Sequence, residues 1–192
     1  CNETALLCNA VKKIQEVCDL PLQLDSSNSN ALKEAIRLYN GVPMINSVNG
    51  DADSMNALLP LIARFNTPVV ALPLNENGIP ESAEGRVAIA KNIICNAEEY
   101  GIDKRLLVFD GLVMAVSSNQ QYGRITLDTL SALHNMGFLT TIGLSNVSFG
   151  LPERAYLNRT FLALALENGL DIPIIPPFGR GTMEGVKSHM GL

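Results

Sequence analysis

The sequence predicts an α/β protein built on a parallel sheet that is buried on both faces. Three observations predict it. Short apolar runs alternate strictly with segments of helical period, helix after strand, from one end of the chain to the other. The runs are nearly continuously apolar, as strands covered on both faces must be. Their polar residues gather at one place, the carboxyl ends. This order fits two architectures, an open doubly wound sheet or a (β/α) barrel. No G-x-G-x-x-G or P-loop string follows any strand, which removes the usual dinucleotide and nucleotide signatures.

The elements follow in order. Leu7, Val11, Ile14 and Cys18 form one apolar face of a first helix, ended by Asp19-Leu20-Pro21. Residues 22–24 are a short strand closing at Asp25. Ser29 is the predicted N-cap of a second helix, with Leu32, Ala35, Ile36 and Tyr39 inward and Gly41 as its stop. Residues 42–48 form the next strand, interrupted by Asn46. Asp51 or Asp53 caps a helix with Met55, Leu58, Leu59 and Ile62 on one side, and Pro60 within it predicts a kink or a late start. Residues 68–72 are the third strand. Ser82 opens a long helix with Val87, Ala90 and Ile94 inward, stopped by Gly101. Residues 106–109 form the fourth strand, ending in Asp110-Gly111. Leu127, Leu130 and Leu133 mark a helix before Gly137, and residues 138–144 are the fifth strand. Leu157, Phe161 and Leu164 face inward on the next helix. Residues 172–175 are the sixth strand, and a weaker helix near 182–189 closes the chain.

A length of 192 residues suffices for one sizeable core, and with no repeat, linker or low-complexity segment residues 1–192 read as one domain. The net charge of −5, with no cluster of Lys and Arg among aromatics, argues against a nucleic-acid partner. Cys1, Cys8, Cys18 and Cys95 make no C-x-x-C pair, and His134 and His189 complete no zinc pattern, so no metal site is predicted. Three of the cysteines fall on predicted helices and are expected to be small buried thiols in a reducing compartment. No leader and no membrane-spanning run is visible, which predicts a cytoplasmic protein. Asn146-Val-Ser and Asn158-Arg-Thr match the glycosylation spacing and are read as chance. The chain begins at Cys1 and enters a helical pattern at once, which predicts a fragment or a processed product.

Asp25, Asn46, Asp110 and Asn146 share one position, the carboxyl end of a predicted strand. In a (β/α) barrel those ends meet at the face where active sites are built. Two carboxylates and two carboxamides there suit a flat, nitrogen-rich heterocycle, because an aspartate accepts two parallel N–H bonds from an amino-pyrimidine edge. Each residue also has a plainer reading. Asp25 could cap a helix, Asp110-Gly111 is a turn dipeptide, and either asparagine could satisfy loop backbone. Four such residues in phase favour a ligand.

The strings Leu24-Asp-Ser-Ser-Asn28, Ile45-Asn-Ser-Val48, Val108-Phe-Asp110 and Gly143-Leu-Ser-Asn-Val-Ser-Phe-Gly-Leu-Pro152 resemble the pterin-binding methyltransferase family over essentially the whole chain. That family includes methyltetrahydrofolate:corrinoid/iron–sulfur protein methyltransferase and the folate domain of cobalamin-dependent methionine synthase. The resemblance implies a TIM (β/α)8 barrel, lacking in this chain its first two strands, and a homodimer. It implies that Asp25, Asn46 and Asp110 bind the pterin ring of methyltetrahydrofolate, and that Asn146 sits near the methyl-bearing N5 as the catalytic residue. Arg154 would face an anion or a partner, or be a solvated helix-start arginine. The implied reaction moves the N5 methyl group to Co(I) of a corrinoid. This chain has no Asp-x-His-x-x-Gly motif, so the corrinoid (cobalamin) would arrive on a partner protein or domain.

Competing readings are a non-catalytic pterin-binding module and a dihydropteroate synthase-like enzyme. The second is disfavoured because Asn146-Val-Ser-Phe stands where that enzyme carries a lysine-containing loop. Methylamines or glycine betaine are alternative methyl sources. Gly111 and Ala115 stand where the family has proline, which is expected to loosen the loop after Asp110. Pro176 replaces part of an Asn-Pro pair, which is expected to remove a polar group from the barrel mouth.

Overall fold

The computed structural model describes residues 2–176. Helices and strands alternate as α1 (Glu3–Gln15), β1 (Gln23–Asp25), α2 (Ser29–Leu38), β2 (Met44–Asn49), α3 (Ala52–Phe65), β3 (Val69–Leu72), α4 (Ala83–Glu99), β4 (Leu107–Asp110), α5 (Gln121–Asn135), β5 (Leu139–Gly143), α6 (Arg154–Glu167) and β6 (Ile172–Ile174). The helix expected near 182–189 lies outside the described residues.

All strand pairs are parallel, and the sheet order is the chain order, β1 to β6. A doubly wound sheet would reverse its strand order at a switch point. Here there is none, so right-handed crossovers place every helix on one face. The sheet curls around the other face: a cavity of about 450 Å³ is lined by Gln23 and Met44 from the first two strands and by Thr141, Ile172 and Ile174 from the last two. The architecture is thus a (β/α) barrel represented by six strands. Within the described residues β1 and β6 each have a strand neighbour on one side only. Pro173 at the centre of β6 has no N–H to offer, which suits an edge position.

Side-chain parity sets the two faces. Leu24, Ile45, Val69 and Leu107 share a rung, as do Val48, Ala71 and Phe109, and all pack against helices α2 to α4 through Leu32, Ile36, Leu58, Leu59, Ile62 and Ile93. Phe138 meets Phe109 edge to face, with ring centroids 5.3 Å apart. A second cluster of Leu130, Ile142, Leu144, Val147, Phe161, Leu162 and Ala165 joins α5 and α6 to β5. The residues between these rungs, among them Asp25, Asn46, Val70 and Val108, therefore face the barrel interior.

Several expectations are corrected. Asn28 rather than Ser29 caps α2, its Oδ1 accepting the N–H groups of Asn30 and Ala31 at 3.0 and 3.2 Å. Tyr39 lies just past that helix, and its hydroxyl accepts the Leu22 N–H. Helix α3 neither starts late nor breaks at Pro60. Pro60 lies on the exposed side, where the carbonyl left without its partner can meet water. In α4 the buried face is Arg86, Ala90, Ile93 and Ala97, one position round from the expected face, leaving Val87 and Ile94 half-buried. In α6 Leu164 is exposed while Leu162 and Ala165 are buried. Cys18 lies beyond α1, and no described cysteine is a buried core thiol: Cys8 and Cys18 are half-buried and Cys95 is exposed. No helix of the described residues is long and apolar enough to cross a membrane.

Candidate active site at the carboxyl ends of the strands

The four polar residues singled out in the sequence all reach the carboxyl-terminal end of the sheet, in two pairs. Asp25 and Asn46 are register partners on β1 and β2. Asp110 ends β4 and pairs with Thr141 of β5, whose chain runs on through Gly143 to Asn146. Between the pairs lies β3, which ends in Leu72 and adds no polar group. Asn46 and Asp110 are thus separated by about 10 Å across two strand spacings.

Helix capping does not use Asp25. The α2 N-terminus is served by Asn28, and Asp25 is exposed on the wall of a cavity of about 460 Å³ with Ser26, Ser47, Asn49 and Asp51. Asn46 is half-buried, and its backbone carbonyl accepts the Ser26 N–H at 3.1 Å, which ties the two strand ends together. The strand does not end at Asn46. A bulge follows it, and Val48 and Asn49 resume pairing with Ala71 and Leu72. Asn49 is therefore the residue level with the end of β3. Its amide donates to Asp51 Oδ2 at 2.9 Å, while Asp51 Oδ1 is buried without a partner among the described residues.

The turn reading of Asp110 accounts for one of its oxygens. Oδ1 accepts the Leu112 N–H at 2.8 Å, closing a turn in which Leu112 adopts the left-handed conformation at φ 55°. Oδ2 accepts no hydrogen bond among the described residues, which leaves it as an acceptor for something else. Burial pushes the Asp110 carboxyl up to about 6, opposed by the Leu112 N–H and the Arg86 guanidinium. A carboxyl raised in the folded state binds its proton there more tightly than in the unfolded chain. Stability conferred relative to Asp110→Asn must then fall as pH rises from about 4 to 6, by a total on the order of 3 kcal/mol. Urea unfolding of both proteins at pH 4, 5, 6 and 7 measures the difference, and parallel pH profiles would contradict it.

The loop after Asp110 is not loosened by Gly111. The Gly111 N–H donates to Thr141 O at 2.9 Å, a bond that proline could not make. A Cβ at this position would lie 2.9 Å from Leu130 Cδ2 and 3.1 Å from Ile142 Cγ2, both fully buried. Gly111→Ala is accordingly expected to destabilise the fold by about 1–3 kcal/mol, read as a lowered urea midpoint. Further along, Ala115 O accepts the Ser118 N–H, Val116 N–H donates to Val147 O, and Ser117 Oγ donates to Phe149 O at 2.8 Å. The Asp110 loop and the Asn146 loop are stitched together. Pro176, the last described residue, is exposed and lies beyond β6.

Asn146 closes a 3-10 turn over residues Leu144–Asn146 and is exposed. Its Nδ2 folds back over the end of β5: a Cβ on Gly143 would sit 3.3 Å from it. Gly143 thereby leaves room for the amide at the barrel mouth. Arg154, at the start of α6, donates from its guanidinium to Ser145 O at 2.8 Å and to Ser148 Oγ at 3.1 Å. It braces the turn that carries Asn146, so it is neither a freely solvated arginine nor one with its whole fork turned outward.

The family model for pterin-binding enzymes matches residues 2–175, nearly all of the chain. The chain belongs to the pterin-binding enzyme family. Among curated relatives this pterin-binding enzyme is 29% identical over 178 residues to the methylcorrinoid:tetrahydrofolate methyltransferase of Eubacterium limosum, covering 90% of this chain and 65% of that protein. It is 32% identical over 177 residues to the methionine synthase of Mycobacterium leprae, covering 85% of this chain and 15% of that one. The chain therefore spans less than two thirds of the length of either. Among solved structures it superimposes on the dihydropteroate synthases of Coxiella burnetii (TM-score 0.75, 18% identity, 96% of this chain and 71% of that one) and Yersinia pestis (0.77, 17%, 98% and 75%). These last two show that the fold is that of the pterin-binding TIM barrels.

Sequence reading missed Arg86 and Asn49. Arg86 was legible in principle. It falls on the same helical face as Ala90, Ile93 and Ala97, and a cation on an apolar face needs a reason. Asn49 was hidden by the bulge, which only strand pairing reveals. Among the described residues no cluster of three or more His, Cys, Asp or Glu side chains is placed to hold a metal ion.

Proposed function

We propose that the protein is a methyltransferase that moves the N5 methyl group of methyltetrahydrofolate to the cobalt of a corrinoid substrate carried by a partner protein or domain. The observation that carries this reading is the pairing of Asp25 with Asn46 and of the Asp110 loop with the Asn146 loop at one end of the barrel. Asp25 and the free Oδ2 of Asp110 are acceptors for the N–H groups of the pterin's amino-pyrimidine edge, and Asn46 both donates and accepts. Asn146 is the catalytic residue.

The chemistry explains why a neutral amide suits that place. A tertiary amine is a poor leaving group, so N5 must acquire positive charge before its bond to carbon breaks. In the transfer N5 takes up a proton from solvent, the carbon–nitrogen pair stays on N5, and the methyl group accepts the electron pair of cobalt(I). An amide that turns its oxygen to N–H as N5 is protonated strengthens its hydrogen bond during the reaction, which lowers the barrier without tightening ground-state binding. By microscopic reversibility the same amide serves methyl transfer from the corrinoid to tetrahydrofolate, the direction in the name of the E. limosum relative.

The curated relatives at 29 and 32% identity support this assignment over the dihydropteroate synthase reading, whose likeness at 17 and 18% concerns the fold. Titration with methyltetrahydrofolate, followed by a methyl-transfer assay with cob(I)alamin, tests it. Saturable binding and methylcobalamin formation are expected. Binding without transfer would favour a pterin-binding module, and no binding would sink both.

A further inference from the structure

Among the described residues Arg86 is the largest side chain that is fully buried, and it is charged. Its guanidinium reaches from α4 beneath the loop after β4. There Nη1 donates to Gly111 O at 2.7 Å and Leu112 O at 3.0 Å, and Nε donates to Pro80 O at 3.1 Å. None of these partners is a carboxylate. A buried cation held by neutral groups alone, these carbonyls and the Met114 thioether, is expensive, and an apolar side chain of similar volume would fill the space at less cost. The retained charge therefore calls for an explanation beyond packing.

We propose that Arg86 is the positioning residue of the site carboxylate: by gripping Gly111 and Leu112 it fixes the direction of Asp110 and supplies the cation that this half-buried carboxylate faces. Both ends of the Leu112 residue are fastened, its N–H by Asp110 Oδ1 and its carbonyl by Arg86, so the left-handed turn and the orientation of Asp110 form one unit. The free Oδ2 is then aimed by the same two bonds. Other groups near Asp110 are electrically quiet. The flanking strands β3 and β5 carry no titratable residue, and α5 adds Tyr122, whose influence falls on Arg86. Against the upward push of burial, the Leu112 N–H and then the Arg86 guanidinium hold the Asp110 carboxyl down, and Arg86 is the one cation among these causes.

The proposal rests on the pterin-binding reading for its consequence but is testable without a pterin. The ¹³C-carboxyl titration of Asp110, assigned by its loss in Asp110→Asn, is compared in the wild type, Arg86→Met, Arg86→Lys and Tyr122→Phe. Arg86→Met is expected to move the midpoint up by about one unit or more, the size of effect that a nearby opposite charge has on a carboxyl. Arg86→Lys is expected to keep most of the charge effect while losing the two-carbonyl grip, so its midpoint stays near the wild type and its pterin affinity falls at every pH. Arg86→Met loses both the grip and the charge, so its affinity should fall at every pH, fall further at low pH, and recover at pH 8.5 only to about the level of Arg86→Lys. An unchanged Asp110 midpoint in Arg86→Met overturns the proposal, as does an Arg86→Met affinity loss no deeper at low pH than at pH 8.5. If Arg86→Met does not fold, Arg86→Gln replaces it with the same expected direction. A wild type that binds no pterin sinks the proposed function and leaves the carboxyl titration to decide the role of Arg86.

Discussion

Asn146→Ala should lower the rate constant of methyl transfer to cob(I)alamin by roughly 10²–10³, the usual cost of removing one hydrogen-bonding group aimed at charge that develops in a transition state. The dissociation constant for methyltetrahydrofolate should change by no more than a few-fold. The asymmetry follows from the position of the side chain. Asn146 is exposed, and its Nδ2 hangs over Gly143 at the barrel mouth rather than on the sheet wall that is proposed to hold the ring. Its hydrogen bond to N5 gains strength only when N5 takes up a proton. Single-turnover kinetics at saturating pterin separate the two quantities. Equal losses in rate and affinity would place Asn146 among the binding groups and end its assignment to N5. A rise in rate would contradict the chemistry altogether.

Asp110→Asn should have the opposite profile, with pterin affinity falling by about 10- to 150-fold, equivalent to about 1.5–3 kcal/mol for hydrogen bonds to a charged acceptor. The substitution is a clean one. An asparagine oxygen can still accept the Leu112 N–H, so the turn survives and only the second, ligand-facing oxygen changes. The wild-type affinity should also depend on pH. A carboxylate accepts from an N–H only when ionised, and burial raises this group to about 6, so binding should be full well above pH 6 and weaken as pH falls through it. Isothermal titration at pH 5.5, 6.5 and 8 reads both effects. Wild-type affinity at pH 8 in the Asp110→Asn variant would remove Asp110 from the binding set.

The fold was legible because its strands are short and the inner ones, β3 to β5, are buried along most of their length, although β1 and β6 at the edges are not. Runs such as Leu107–Asp110 and Val69–Leu72 admit little polar interruption, so where one ends in aspartate or glycine the boundary is plain. Helix starts were equally readable: Ser82, whose hydroxyl accepts the Gly85 N–H, and Asp51, which makes no side-chain capping bond, both stand at predicted N-termini. Errors arose where period alone cannot fix phase. The buried face of α4 is one residue round from the face read by hydrophobicity, because Arg86 rather than Val87 is drawn inward by the carbonyls of a loop 25 residues away. Leu164 and the thiols of Cys8, Cys18 and Cys95 are also less covered than their apolar character suggests.

Sequence by itself determined the alternation of elements, the polar residues at four strand ends and the family string from Gly143 to Pro152, since each is a property of neighbours along the chain. Tertiary structure alone decided how those residues are grouped and what holds them. The sequential strand order made the sheet a curled barrel instead of a doubly wound one, and the bulge after Asn46 brought Asn49 level with the end of β3. Arg86 was turned under the Asp110 loop, and Arg154 was set to bracing the Asn146 turn. The physical reason is the same in each case. Which backbone carbonyl lacks a partner, and which side chain must be buried to supply one, depends on segments that meet only when the chain is folded.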